Sequence, residues 1–160
     1  MGNIISQTSI KQAVEKIDGL SENALEKLIE TYAIQQEDLL GYVMQAGVEY
    51  ENDELNTFSI YYFAIVMEAF NQQGLKLKQI IEDEIHAIQD PFVLALDEIN
   101  QNEDYTPLHE LVNQPHLMEF MSYEIEAEDE DGETLDEETR TQLFIVSASM
   151  IAVLNAAIIK

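Results

Sequence analysis

Carboxylates dominate the side chains able to do chemistry here. The densest run is Glu128-Asp129-Glu130-Asp131-Gly132-Glu133, between two segments of helical spacing. A hard divalent cation such as calcium prefers oxygen donors taken from alternate loop positions. Asp129 and Asp131 alternate in this run, with Glu138 further along, and the three are candidate ligands for a divalent cation such as calcium. Histidine supplies the second set. His86 follows Asp83 by three positions and Glu82 by four, so the three share one side of a helix. Helical di-iron sites need Glu-x-x-His on each of two helices. This chain has Asp83-x-x-His86 once and His116-x-x-Glu119 in reverse order, and Pro115 interrupts the path from His109 to His116.

The loop spacing resembles that of a calmodulin-type EF-hand, over this loop alone. Counted from Ala127, Asp129 is third, Asp131 fifth, Gly132 sixth and Glu138 twelfth. The family places ligands, the turn glycine and a bidentate glutamate at those positions. Ala127 stands where the first aspartate belongs, and Thr134 where a branched apolar residue is usual. The resemblance implies a calcium loop. The simpler reading of the same residues is a solvated, self-repelling acidic turn in a protein without a cofactor.

Covalent and phosphate chemistry find no foothold. Ser59, Ser122, Ser147 and Ser149 lie outside any Gly-x-Ser-x-Gly turn, and there is no glycine-rich phosphate loop. A pair such as Glu119 and Glu124 is unremarkable in a chain so rich in acid, so it does not mark a general acid and base.

Charge is the strongest signal. Among 160 residues, 32 are acidic and 7 basic, a formal net of -25. Between Lys78 and Arg140 lie 61 positions with twenty acids and no Lys or Arg. Direct nucleic-acid binding needs basic residues on the phosphates, and anionic membranes are disfavoured for the same reason. The partner such a surface suits is a basic protein. Glu124, Glu126, Glu128, Glu130 and Glu133 are the candidate partner-binding residues, within an acidic surface from about Glu119 to Glu138. The chain has no cysteine, and its first residues lack the basic and apolar regions of a signal peptide, so a cytoplasmic location is expected.

These side chains need elements to hold them. Apolar residues fall three and four apart almost throughout, and glycine and proline are few. The expected fold is all-α: one domain over residues 1–160, a compact bundle of seven to nine helices. A first helix covers Thr8–Ile17. Ser21 caps a second, a third begins near Glu37, and Asn52 or Asp53 caps a long fourth that Gly74 ends. A fifth holds Leu77, Ile80, Ile81, Ile85 and Ile88. Asp90-Pro91 then reads as cap and first turn of a sixth. Thr106-Pro107 and Gln114-Pro115 open two more, and an exposed acidic loop covers about 127–135. Thr134 or Asp136 caps the last helix, uncharged from Leu143 to Ile159 and apolar all round. Such a helix belongs at the centre of a bundle or in a dimer seam, and its serines and nearly absent basic flanks argue against a membrane span. The aromatic run Phe58, Tyr61, Tyr62, Phe63 and Phe70 covers more than one helical stripe and is assigned to the core, while exposed rings there would point to a homodimer.

The leading functional expectation is a non-enzymatic interaction or regulatory protein that binds a basic partner. The alternatives are an immunity-like, antitoxin-like or DNA-mimic inhibitor, and a metal-dependent helical enzyme using His and carboxylates.

Overall fold

The computed structural model describes residues 3–127 and 132–159. Within them the chain forms eight helices: α1 (Gln7–Asp18), α2 (Glu22–Gln35), α3 (Glu37–Glu49), α4 (Asp53–Gln72), α5 (Glu82–Asn102), α6 (Thr106–Val112), α7 (Pro115–Glu126) and α8 (Glu137–Ala156). The all-α bundle is as the sequence predicts. Glu128, Asp129, Glu130 and Asp131 lie outside the described residues. No described helix is long and apolar enough to cross a membrane.

Local chemistry sets the boundaries. Oxygens of Ser6, Ser21, Asn52 and Asp136 accept backbone N–H bonds at the starts of α1, α2, α4 and α8. Each satisfies a donor that the first helical turn leaves free. Gly74 adopts φ +78° just past α4, where the absence of a Cβ removes the strain. Glu103 and Asn113 take the same left-handed conformation after α5 and α6, positions where a glycine would have been easier to foresee.

The central helix expected at the C-terminus is present. From Val146 to Leu154 every residue of α8 is buried, and it packs against α3, α4, α5, α6 and α7. Each fully buried Leu, Ile, Val or Met contributes about 1.5–3 kcal/mol. Ala148 and Ala152 are buried in the packing, while Ala156 is exposed. A second central helix accompanies it. Tyr62 to Phe70 of α4 are all buried, and α4 packs against α1, α2, α3 and α8. Phe63 and Phe70 have no exposure and Tyr61 is half-buried, so the ring cluster is core rather than an exposed dimer patch.

Two boundaries differ from the sequence reading. Leu77–Ile81 is not helical. It runs extended beside the chain end, with Lys78 N–H donating to Ala157 O (3.0 Å) and Ile159 N–H donating to Lys76 O (2.8 Å). Buried Gln36 completes the clamp: its Nε2 donates to Lys78 O and its Oε1 accepts from Ile80 N, both at 2.9 Å. Side chain and chain end thus satisfy the backbone groups a helix would have paired. Asp90-Pro91 does not start a helix either, because α5 runs through Pro91. A proline costs one helical bond there. The offset is packing: Ile85 and Phe92, on either side of it, are buried on one continuous stripe with Ala95, and Pro91 itself faces solvent.

Candidate protein-interaction surface

The described acids predicted to bind a partner separate on the folded chain. Glu124 and Glu126 are both on α7. Two residues along a helix is a turn of about 200°, so they leave it on opposite sides. Glu124 is half-buried, and burial followed by the charge of Asp18 pushes its carboxyl above the ordinary value. Burial, with Glu124 adding to it, in turn pushes Tyr62 up to about 12. Tyr61 moves the same way, through burial and the bond its hydroxyl donates to Asp18 Oδ1 at 2.6 Å. Glu124 therefore belongs to a junction of α1, α4 and α7. Glu126 is exposed and pairs with Arg140 of α8 at 3.0 Å. Glu133 is exposed before α8.

Of the candidate calcium ligands, Glu138 is exposed on the first turn of α8, and Asp129 and Asp131 lie outside the described residues. The three histidines do not meet. His86 borders a depression between α3 and α5, His109 one between α6, α7 and α8, and His116 one between α1 and α7. His86 has Glu82 at 3.7 Å, and His109 meets the Tyr105 ring edge-on at 6.3 Å. Among the described residues, no group of three or more His, Asp or Glu is arranged to hold a metal ion.

The acidic span nonetheless reaches solvent. From Glu82 to Glu138, Glu84, Glu98 and Glu124 are half-buried and the other described acids are exposed. The basic residues at its two ends are already paired, Lys78 with Glu84 and Arg140 with Glu126. Neither offers the span a free positive charge.

A groove opens within this acidic half. Its volume is about 590 Å³, and α5, α7 and α8 form its walls. Leu96, Ile99, Ile125, Phe144 and Ile145 make an apolar floor, with Glu126 and Glu137 among the polar lining. Phe144 and Ile145 are half-buried, although α8 is buried without a break from Val146 to Leu154. A second depression of about 450 Å³ continues the groove, sharing Tyr105, Ser122 and Phe144 and adding Leu108, Met118 and Glu119.

The sequence reading missed one polar site. Glu68 is the one described acid buried in the fold, with no side-chain exposure. Tyr32 donates to its Oε2, while Lys16 Nζ (2.9 Å) and Gln72 Nε2 (2.7 Å) approach Oε1. Burial pushes Glu68 up, but the bonds from Tyr32, Lys16 and Gln72 outweigh it and hold the carboxyl below its ordinary value. An acid inside the apolar run Ile65-Val66-Met67-Glu68-Ala69-Phe70 was the available signal. The cluster joins α1, α2 and α4, and its satisfied bonds mark a structural role. No protein-family model, curated protein or solved structure matches this chain.

Proposed function

We propose that this chain is a non-enzymatic interaction protein whose second half docks on a basic protein partner in the cytoplasm. The observation that carries the reading is the span from Lys78 to Arg140. It holds twenty acids and no intervening Lys or Arg, and the described acids in it reach solvent. A field of one sign steers an oppositely charged partner and sets its orientation. The N-terminal half is different, because Lys11 and Lys16 lie close to Glu15 and Glu68. The DNA-mimic reading asks for carboxylates in rows along one elongated face, whereas exposed acids lie on all eight helices. A protein partner demands no such rows.

The test is capture of partners on the immobilised chain at low salt, followed by a salt gradient. Exposed charge pairs are screened within about 10 Å at 0.1 M salt and within about 3 Å at 1 M. Basic proteins should be retained and then released as salt rises. Recovery of no basic protein, or retention that ignores salt, ends the proposal.

A further inference from the structure

We infer that the groove between α5, α7 and α8 seats one amphipathic helix of a basic partner. Its apolar side would lie on Phe144, Ile145, Leu96 and Ile99. Its Lys and Arg would face Glu119 and Glu137. The inference rests on the function proposed above and assigns it a binding site.

Three observations lead there. The first is a gap in the cover of α8. This helix is buried from Val146 to Leu154, yet Phe144 and Ile145, the two residues just before that stretch, are only half-buried. Leu96 and Ile99 of α5 are half-buried on the facing wall. The floor therefore holds apolar surface that the described residues leave partly in water. The second is shape. The depressions of about 590 and 450 Å³ adjoin one another, sharing Tyr105, Ser122 and Phe144 in their walls. An elongated apolar groove between helices suits a helix presenting anchors at i, i+3, i+4 and i+7. Half-exposed Tyr105, with the His109 ring edge-on, supplies an aromatic wall of the kind that anchors interfaces.

The third is charge, which selects the occupant. Arg140 is the one Lys or Arg lining either depression, and Glu126 already neutralises it. Glu119 and Glu137 are exposed at the lining. An acidic helix, or a second copy of this chain at -25, would bring like charge onto that rim. A basic amphipathic helix meets both surfaces with its complement.

The probe is a fluorescent peptide of about five helical turns, built from leucine and lysine with the leucines on one face. Its binding to the full chain is read by anisotropy at low salt. A peptide of the same composition in shuffled order has the same charge without the apolar face. Thr141→Arg places a cation at the groove on an exposed position, and Ser122→Trp fills the point where the two depressions adjoin. Gln35→Arg makes the same charge change on exposed α2. The expected result is binding of the amphipathic peptide and about tenfold weaker binding of the shuffled one. Thr141→Arg and Ser122→Trp should each weaken the amphipathic peptide about tenfold, and Gln35→Arg less than about twofold. Unchanged melting temperatures would show that the variants fold. If shuffled and ordered peptides bind alike, or Thr141→Arg acts no more strongly than Gln35→Arg, the groove is overturned and the acidic-surface reading stands. If neither peptide binds at low salt, both fall. Self-association that Thr141→Arg abolishes would also overturn the inference, since a second copy would then cover the groove.

Discussion

Replacing Tyr32 with Phe removes one hydroxyl and tests the buried acid directly. Glu68 has no exposed side-chain surface, so water cannot take the place of a lost donor. Its Oε1 has Lys16 and Gln72, whereas Tyr32 is the donor to Oε2. A hydrogen bond to a charged group contributes about 1.5–3 kcal/mol, and leaving a buried acceptor unpaired puts the cost toward the upper end. The expected loss is therefore about 2–3 kcal/mol. For a domain of this size that lowers Tm by roughly 5–10 °C. Glu68→Gln should cost less, because the amide is neutral and Lys16, 44% exposed, can turn to water. The pair should couple by about 1 kcal/mol or more in a double-mutant cycle. The pH dependence has a definite sign. Glu68 titrates lower in the fold than in the unfolded chain, so its ionised form stabilises the fold above the ordinary carboxylate value of 4.5. That contribution is lost as pH falls through the lower folded value. Glu68→Gln should accordingly flatten the acid limb of a stability profile. Urea and thermal unfolding across that range are the assay. A Tyr32→Phe change within about 0.5 kcal/mol of the parent, the range of an ordinary surface substitution, would refute the reasoning.

Two further predictions concern other parts of the fold. A Cβ on Gly47 would fall 2.7 Å from Asn56 Cβ and 2.9 Å from its Cα, where α3 meets α4, whereas one on Gly41 meets nothing within 4 Å. Gly47→Ala should destabilise by about 1–3 kcal/mol and Gly41→Ala should stabilise by about 0.5–1 kcal/mol, both read by urea unfolding, and equal effects would contradict the packing. Burial and Asp18 raise Glu124, so its ionised form opposes folding above the folded value and the burden vanishes below the ordinary one. Glu124→Gln should thus raise Tm at about pH 7 and leave it unchanged near pH 4, and a lower Tm at neutral pH would contradict the sign.

Local signals were legible in the sequence where one residue decides the outcome. Ser21, Asn52 and Asp136 are caps as expected, and Gly74 turns left-handed because no Cβ opposes it. The uncharged stretch after Leu143 announced a buried helix, since no other environment suits so many apolar side chains. What the sequence hid depends on distant partners. Leu77–Ile81 carries apolar residues fit for a helix, and only Gln36 and the chain end make its extended form satisfiable. Pro91 reads as a boundary until one notes that Ile85, Phe92 and Ala95 keep one stripe through it. The acidic surface was legible as composition but not as geometry. Adjacent acids such as Glu124 and Glu126 diverge on a helix, and the groove floor joins Leu96 to Phe144 across three helices.

The claim that the second half carries the interaction can be tested by moving the same charge change to either half. One variant replaces Glu119, Glu126, Glu133, Glu137 and Glu138 by Gln; the other replaces Glu22, Glu26, Glu30, Glu49 and Glu54, all ten being exposed. The measurement is the affinity of each for a basic protein captured at low salt, repeated over a range of ionic strength. Binding should weaken by about tenfold or more, and lose salt dependence, in the first variant, while the second stays within about threefold of the parent. Equal losses in both variants, or none in the first, would contradict the account.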